Sequence, residues 1–385
     1  MRPQQPTQPV SRHLIDHQSN FLIHHFGTQT VTLLFPLAPE TFTSQLVSRA
    51  LHSPCLLFAL LAASSSHYSR LTSDPSLQRT TLRYTNIAIS TLRQALTIQS
   101  VVEIDHVATA IALCTNDICN GTADSYRLHL AGARHLLQTL QTSQPGDLNA
   151  SFKHDLTRWF SALDVSASAS GGHSSVGSSD KHPVLDLIRR PSPVQVDNFC
   201  GYSLELMPLI LSVERLSNFC HGKDLTFQPE DNNVSLESQI LALSCPHDLL
   251  VPLLAKMTER EIELMSSHEA FVGATLLYLY RRVGLLPRGH LKVKFAISKI
   301  ILAINHIAQD SPAMILVLWP LFSAGCETDC IEERQLIDQR MAKMQRLGLG
   351  AFSQARRVMN AYWSSDRNLS WSEYVEHTGL MLVLF

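Results

Sequence analysis

Apolar residues recur along this chain with a period near 3.6, and no run alternates as a half-buried strand would. The spacing predicts helices over 11–26, 39–51 and 53–71, then one after Asp74-Pro75 with an apolar stripe of Leu82, Ile89, Leu92 and Leu96. Further helices are predicted over 103–118, 123–140 and 151–168. The clearest is 123–140, where Tyr126, Leu130, Ala133, Leu137 and Leu140 step by fours and threes. Its Gly132 lowers helix propensity by up to about 1 kcal/mol relative to Ala, which points to another helix passing close by.

The period stops in SASASGGHSSVGSSDKHP, so a flexible loop is expected at about 166–185. It returns over 202–220, breaks at 222–233, and continues through 236–244, 253–283, 291–308, 313–324, 331–347, 351–362 and 371–379. The expected fold class is all-α: one large multi-helix domain over 21–385 after a polar tail, 1–20. Within it, WPLFSAGCE (Trp319–Glu327) joins an almost chargeless run to the polar IEERQLIDQRMAKMQRL. That pattern predicts a buried helix, a corner of small residues at 323–326, and an amphipathic surface helix.

Composition narrows the class. Hydrophobic residues make up 45% and charged residues 17%, with 31 Lys+Arg against 33 Asp+Glu, a formal net charge of −2. There is no global electrostatic footprint for nucleic acid or for an anionic membrane, and the basic runs are isolated Arg pairs. The uncharged stretches 50–69 and 311–326 read as core helices, since the first carries Ser64–Ser66 and His67 and the second is interrupted by Pro320. The opening MRPQQPTQPVSR has the composition of neither a signal nor a transit peptide, and an intracellular protein without a membrane span is expected.

Candidate chemistry is sparse. Eight cysteines include no C-x-x-C pair; the nearest spacings are Cys114 to Cys119 and Cys326 to Cys330, which suits reduced structural thiols better than the six close thiolates of a binuclear zinc cluster. His13 and His17 share a helical face but lack the glutamate of an H-E-x-x-H site, so neither a metal nor another cofactor is expected. GGHSSVGSS contains no G-x-S-x-G, no phosphate-cradling glycine loop occurs, and Asp155, Asp164, Asp186, Asp197 and Glu205 are scattered. Catalysis is not expected.

Eight segments, in order, carry a resemblance: LHSPCLLFALLAASSSHYSRL, YTNIAISTLRQAL, SYRLHLAGARHLLQTL, RWFSALDV, GYSLELMPLILSVERLS, YLYRRV, WPLFSAGCE and SWSEYVEHTGLMLVLF. Together they resemble the regulatory domain of fungal-specific transcription factors, which ordinarily follows a DNA-binding zinc cluster; SYRLHLAGARHLLQTL is the most specific match. The resemblance implies an all-α module of a nuclear protein that controls transcription, often of metabolic or secondary-metabolite genes, by receiving a small inducer or a partner regulator, with dimerisation as one form of partnership. The zinc cluster is not among these residues, so direct DNA binding by them is not expected; a gene read from too late a start, its upstream cluster lost, would give the same picture. The alternatives are a helical scaffold recruited as an enzyme or ligand carrier of a biosynthetic pathway, and a decoy or corepressor that pairs with full-length relatives. Arg127, His129, Arg134 and Trp319 are the candidate ligand residues. Arg offers bidentate pairing with a carboxylate, but the same three polar residues suit interhelical ion pairs, and Trp319 suits the core.

Overall fold

Among the described residues helices follow the sustained apolar period, and several begin or end at the expected cap residues. In this computed structural model residues 16–98, 101–143, 149–170, 195–221, 229–245, 257–367, 369–380 and 382–384 are described. Among them the only strand-like pairing is one isolated bridge, Val196 with Ser203, and the fold is all-α. The contacts divide the chain into two compact units, 1–160 with 347–350, and 161–346 with 351–385.

The first unit holds α1 (His17–His25), a π turn (Phe26–Thr30), α2 (Val31–Leu34), α3 (Glu40–Ala50), α4 (Pro54–Thr72), α5 (Leu77–Ile98), α6 (Ile104–Asn120), α7 (Ala123–Ser143) and the start of α8 (Ala150–Ala169). Asp16 caps α1 by accepting from Ser19 N at 2.6 Å, Pro54 opens α4, and left-handed Gly121 closes α6. Helix α4 is buried on all sides from Cys55 to His67 and packs against α5 and α6, so it is the unit's centre. Its serines do not go unmet: Ser64 Oγ donates to Leu22 O at 2.7 Å, Ser66 Oγ to Asn116 Oδ1 at 2.6 Å, and Ser65 accepts from Thr81 at 2.9 Å. Phe35, Phe42 and Trp159 pack edge to face at 4.8–5.9 Å.

The second unit contains α9 (Leu206–His221), α10 (Pro229–Ala242), α11 (Glu259–Tyr278), a second π turn (Leu279–Val283), α12 (Leu291–Asn305), α13 (Ala313–Leu316), α14 (Leu318–Glu327), α15 (Ile331–Gln345), α16 (Gly350–Trp363) and α17 (Trp371–His377). Here α11 is the buried centre, opened by a reciprocal Thr258/Glu261 cap and flanked by α12 and α14.

Five expectations are corrected. The small residues 323–326 make no corner: α14 runs through them to Glu327, because Gly325 lets Met359 and Ile337 pack against the helix, and a Cβ there would lie 2.5 Å from Met359 Sδ. Gly132 is exposed, and among the described residues nothing lies within 4 Å of the place a Cβ would take, so none of the described helices passes close to it. The inward stripe of α5 is Leu77, Thr81, Tyr84 and Ala88, since the core it faces is polar there, and Leu82 is 64% exposed. Helical structure continues through 166–169, and α10 begins at Pro229, inside the expected break. The remainder of the expected loop, 171–185, and most of the tail lie outside the described residues. Among the described residues no single helix is long and apolar enough to cross a membrane; α3 and α4, taken together, are bent by 117°.

Candidate functional site

Three of the four candidate residues lie on α7, while Trp319 lies in the other unit on α14. His129 Nδ1 is 2.8 Å from Asp117 Oδ2, and Asp117, which is buried, also accepts from Ser125 at 2.8 Å and Thr122 at 3.0 Å. The carboxylate therefore pins the α6–α7 corner, and His129 is a part of that pin. Arg127 and Arg134 are half-buried and both have partners within the fold. Trp319 is buried against Phe271 and Tyr278, with ring centroids 5.7 and 6.3 Å away.

Two polar clusters in the second unit are held together by their own hydrogen bonds. Buried Glu327, at the end of α14, accepts from Arg281 Nε at 2.7 Å and Arg288 Nε at 3.4 Å. Arg367 donates to Cys326 O at 2.6 Å, and Trp363 Nε1 to Gly325 O at 2.8 Å, so the carbonyls that a helix end leaves over are satisfied by side chains. Glu269 accepts from Lys299, from Ser244 Oγ at 2.8 Å and from Cys245 N at 2.6 Å. Lys299 Nζ also reaches Ser244 Oγ at 2.7 Å. Ser244 thus lies beside an amine, but Lys299 is committed to the Glu269 carboxylate and the serine proton points to the same group. Burial pushes the Cys119 thiol up to about 12 and that of Cys326 well above its ordinary value, so neither supplies a thiolate. Among the described residues no three His, Cys, Asp or Glu side chains come together as a metal site.

One feature of the first unit is open. A groove of about 610 Å³ lies between α1 with its π turn and α3. Its apolar wall is Ile23, Val31, Val47 and Leu51, and Thr28, Thr43, Ser44 and Ser48 supply hydroxyls. The π turn shapes it: Phe26 and Thr30 turn inward and are buried, leaving Gly27 and Thr28 exposed at the groove. The volume lies within the range of small-molecule sites. Among the described residues His24 is the sole ionisable side chain along it, so this lining matches a largely apolar, uncharged ligand better than a carboxylate or phosphate.

Sequence reasoning missed this groove because it depends on a register change. A π turn has no distinctive composition, and only the run Phe26-Gly27-Thr28, with a glycine interrupting helical spacing, marked the place.

The described residues thus form an all-α domain with a groove of small-molecule size in its first unit. Residues 20–385 match the fungal specific transcription factor domain, and the chain belongs to that family. It is thus a protein of the transcription-regulator type. No curated protein and no solved structure matches it.

Proposed function

We propose that the chain acts in the nucleus as a transcription regulator whose all-α domain binds a small, largely apolar, uncharged inducer in the groove between α1 and α3. The groove carries the proposal: it combines about 610 Å³ of accessible space with an apolar wall and a hydroxyl rim. Family membership supports the regulatory role, and metabolic or secondary-metabolite genes are the targets that role suggests. The near-neutral charge of the chain supports a reading in which these residues receive a signal rather than grip DNA phosphates.

Gly27 provides the test. A side chain added there enters open space, with nothing within 4 Å, and its backbone needs no left-handed conformation. Gly27→Phe is expected to fill the groove without loss of Tm. Nile red, a neutral apolar dye, is expected to bind the wild-type chain at one site and at least about tenfold more weakly to the variant. Equal binding to both chains, or none to either, would remove the groove as the inducer site.

A further inference from the structure

Helix α12 presents two apolar seams. Val293, Ala296, Ile297, Ile300 and Ile304 form the buried one, packed so closely on α11 that a Cβ at Gly273 would lie 2.8 Å from Ile300 Cγ1. The other faces solvent: Leu291 is 81% exposed, Phe295 53% and Leu302 56%, with exposed Ser298 between them. Steps of four, three and four residues align these four side chains along one face. Apolar side chains exposed singly need no explanation, but a line of three on one helix does.

We propose that this line is the centre of a two-fold interface between two copies of the chain, with their α12 helices antiparallel. Read backwards, the seam is complementary to itself. Leu291 meets Leu302 of the second copy, and Phe295 fits over Ser298 of the second copy, a large side chain against a small one.

Charge does not oppose the same occupant. Lys292 pairs with Glu237 at 2.7 Å, and Lys299 pairs with Glu269, so most of the seam's positive charge is compensated within each copy. In the antiparallel register Lys294 comes opposite Lys299 of the second copy, whose charge Glu269 offsets. Area adds to the case. Glu237 lies between Val234 and Leu241 on one face of α10, and its bond to Lys292 brings that face beside the first turn of α12. Val234 is 65% exposed and Leu241 38%. These five side chains together expose on the order of 500 Å² of apolar surface, the upper part of the range for a functional patch. With a polar rim they approach the roughly 800 Å² per partner of a standard interface, which is more than a short peptide would cover. The interface goes beyond ligand binding at the groove and does not depend on it.

Sedimentation velocity on the full chain tests the proposal. The wild type is expected to run as a dimer at micromolar concentration. The double variant Phe295→Glu/Leu302→Glu is expected to dissociate about thirtyfold or more readily, with an unchanged far-ultraviolet dichroism spectrum. Leu128→Glu, at a 75% exposed leucine of the other unit, is expected to leave the dimer intact. A wild-type monomer, or a dimer that survives the double variant, overturns the proposal. Register has its own test in a Cys330→Ser background. Leu291→Cys and Leu302→Cys chains should form an oxidised cross-link only when mixed, because like positions lie about 16 Å apart along the antiparallel pair. Linking of either chain to itself, or none on mixing, overturns the two-fold arrangement.

Discussion

His67 carries the clearest consequence at the scale of a single residue. Its Nε2 lies 2.9 Å from Leu347 O, and a carbonyl only accepts, so the ring proton is on Nε2 and Nδ1 is an acceptor. Thr30 Oγ1, at 2.9 Å, and His25 Nε2, at 3.2 Å, both donate to that Nδ1. Burial pushes His67 down to about 4 and lowers His25 as well. Both rings therefore fold neutral and take up protons more readily when unfolded, so their contribution is complete above about pH 6.5 and is lost as pH falls towards 4. For His67 the loss is on the order of 3 kcal/mol. Urea unfolding at pH 7.5 and 4.5 measures it, and the non-titrating His67→Gln variant should show a distinctly smaller pH dependence than wild type. The sequence displayed the histidine inside an apolar run, yet its three partners come from positions as distant as Leu347, and no local pattern shows such a pairing. Gly350 is similar: a Cβ there would lie 2.5 Å from Gly121 N, a backbone approach that neither glycine announces by itself.

At the scale of the element, α14 shows what periodicity conveys and what it cannot. Its burial was legible from the chargeless run that includes Trp319 and Phe322, and both are core residues, with Phe322 edge to face against Trp371 at 5.1 Å. Where α14 stops was not legible, because small residues suit a close helix crossing as well as a corner, and here Met359 and Ile337 use the space. The true end is fixed by side chains brought from afar, with Arg281, Arg288 and Arg367 gathered on Glu327 and the last carbonyls. Removing one member leaves buried charge without its partner. Glu327→Ala is expected to destabilise by about 3–5 kcal/mol, read as a lowered urea midpoint. A change below about 0.5 kcal/mol, the usual effect of a surface substitution, would show that the cluster does not hold the end of α14. The helix α5 teaches the converse. That a helix follows Asp74-Pro75 was legible, but its inward face was not, since Thr81 and Tyr84 turn inward to satisfy a polar core: Ser19 Oγ is 2.9 Å from Tyr84 Oη.

At the scale of the whole molecule, the all-α class and the family were both within reach of the sequence. Helical period determines the first, and eight ordered segments point to the second, which the match over 20–385 establishes. The proposed groove was not. The motif draws attention to Arg127, His129 and Arg134, of which His129 meets Asp117, whereas the groove is lined largely by Val, Ile, Thr and Ser, which no motif distinguishes. The central claim, that the chain regulates transcription, is tested most directly by deleting its gene and comparing transcripts and metabolites with the parent strain. A coherent set of transcripts should change and be restored by the wild-type gene. Unchanged transcripts with one accumulated pathway intermediate would contradict the claim and identify a scaffold that has become an enzyme.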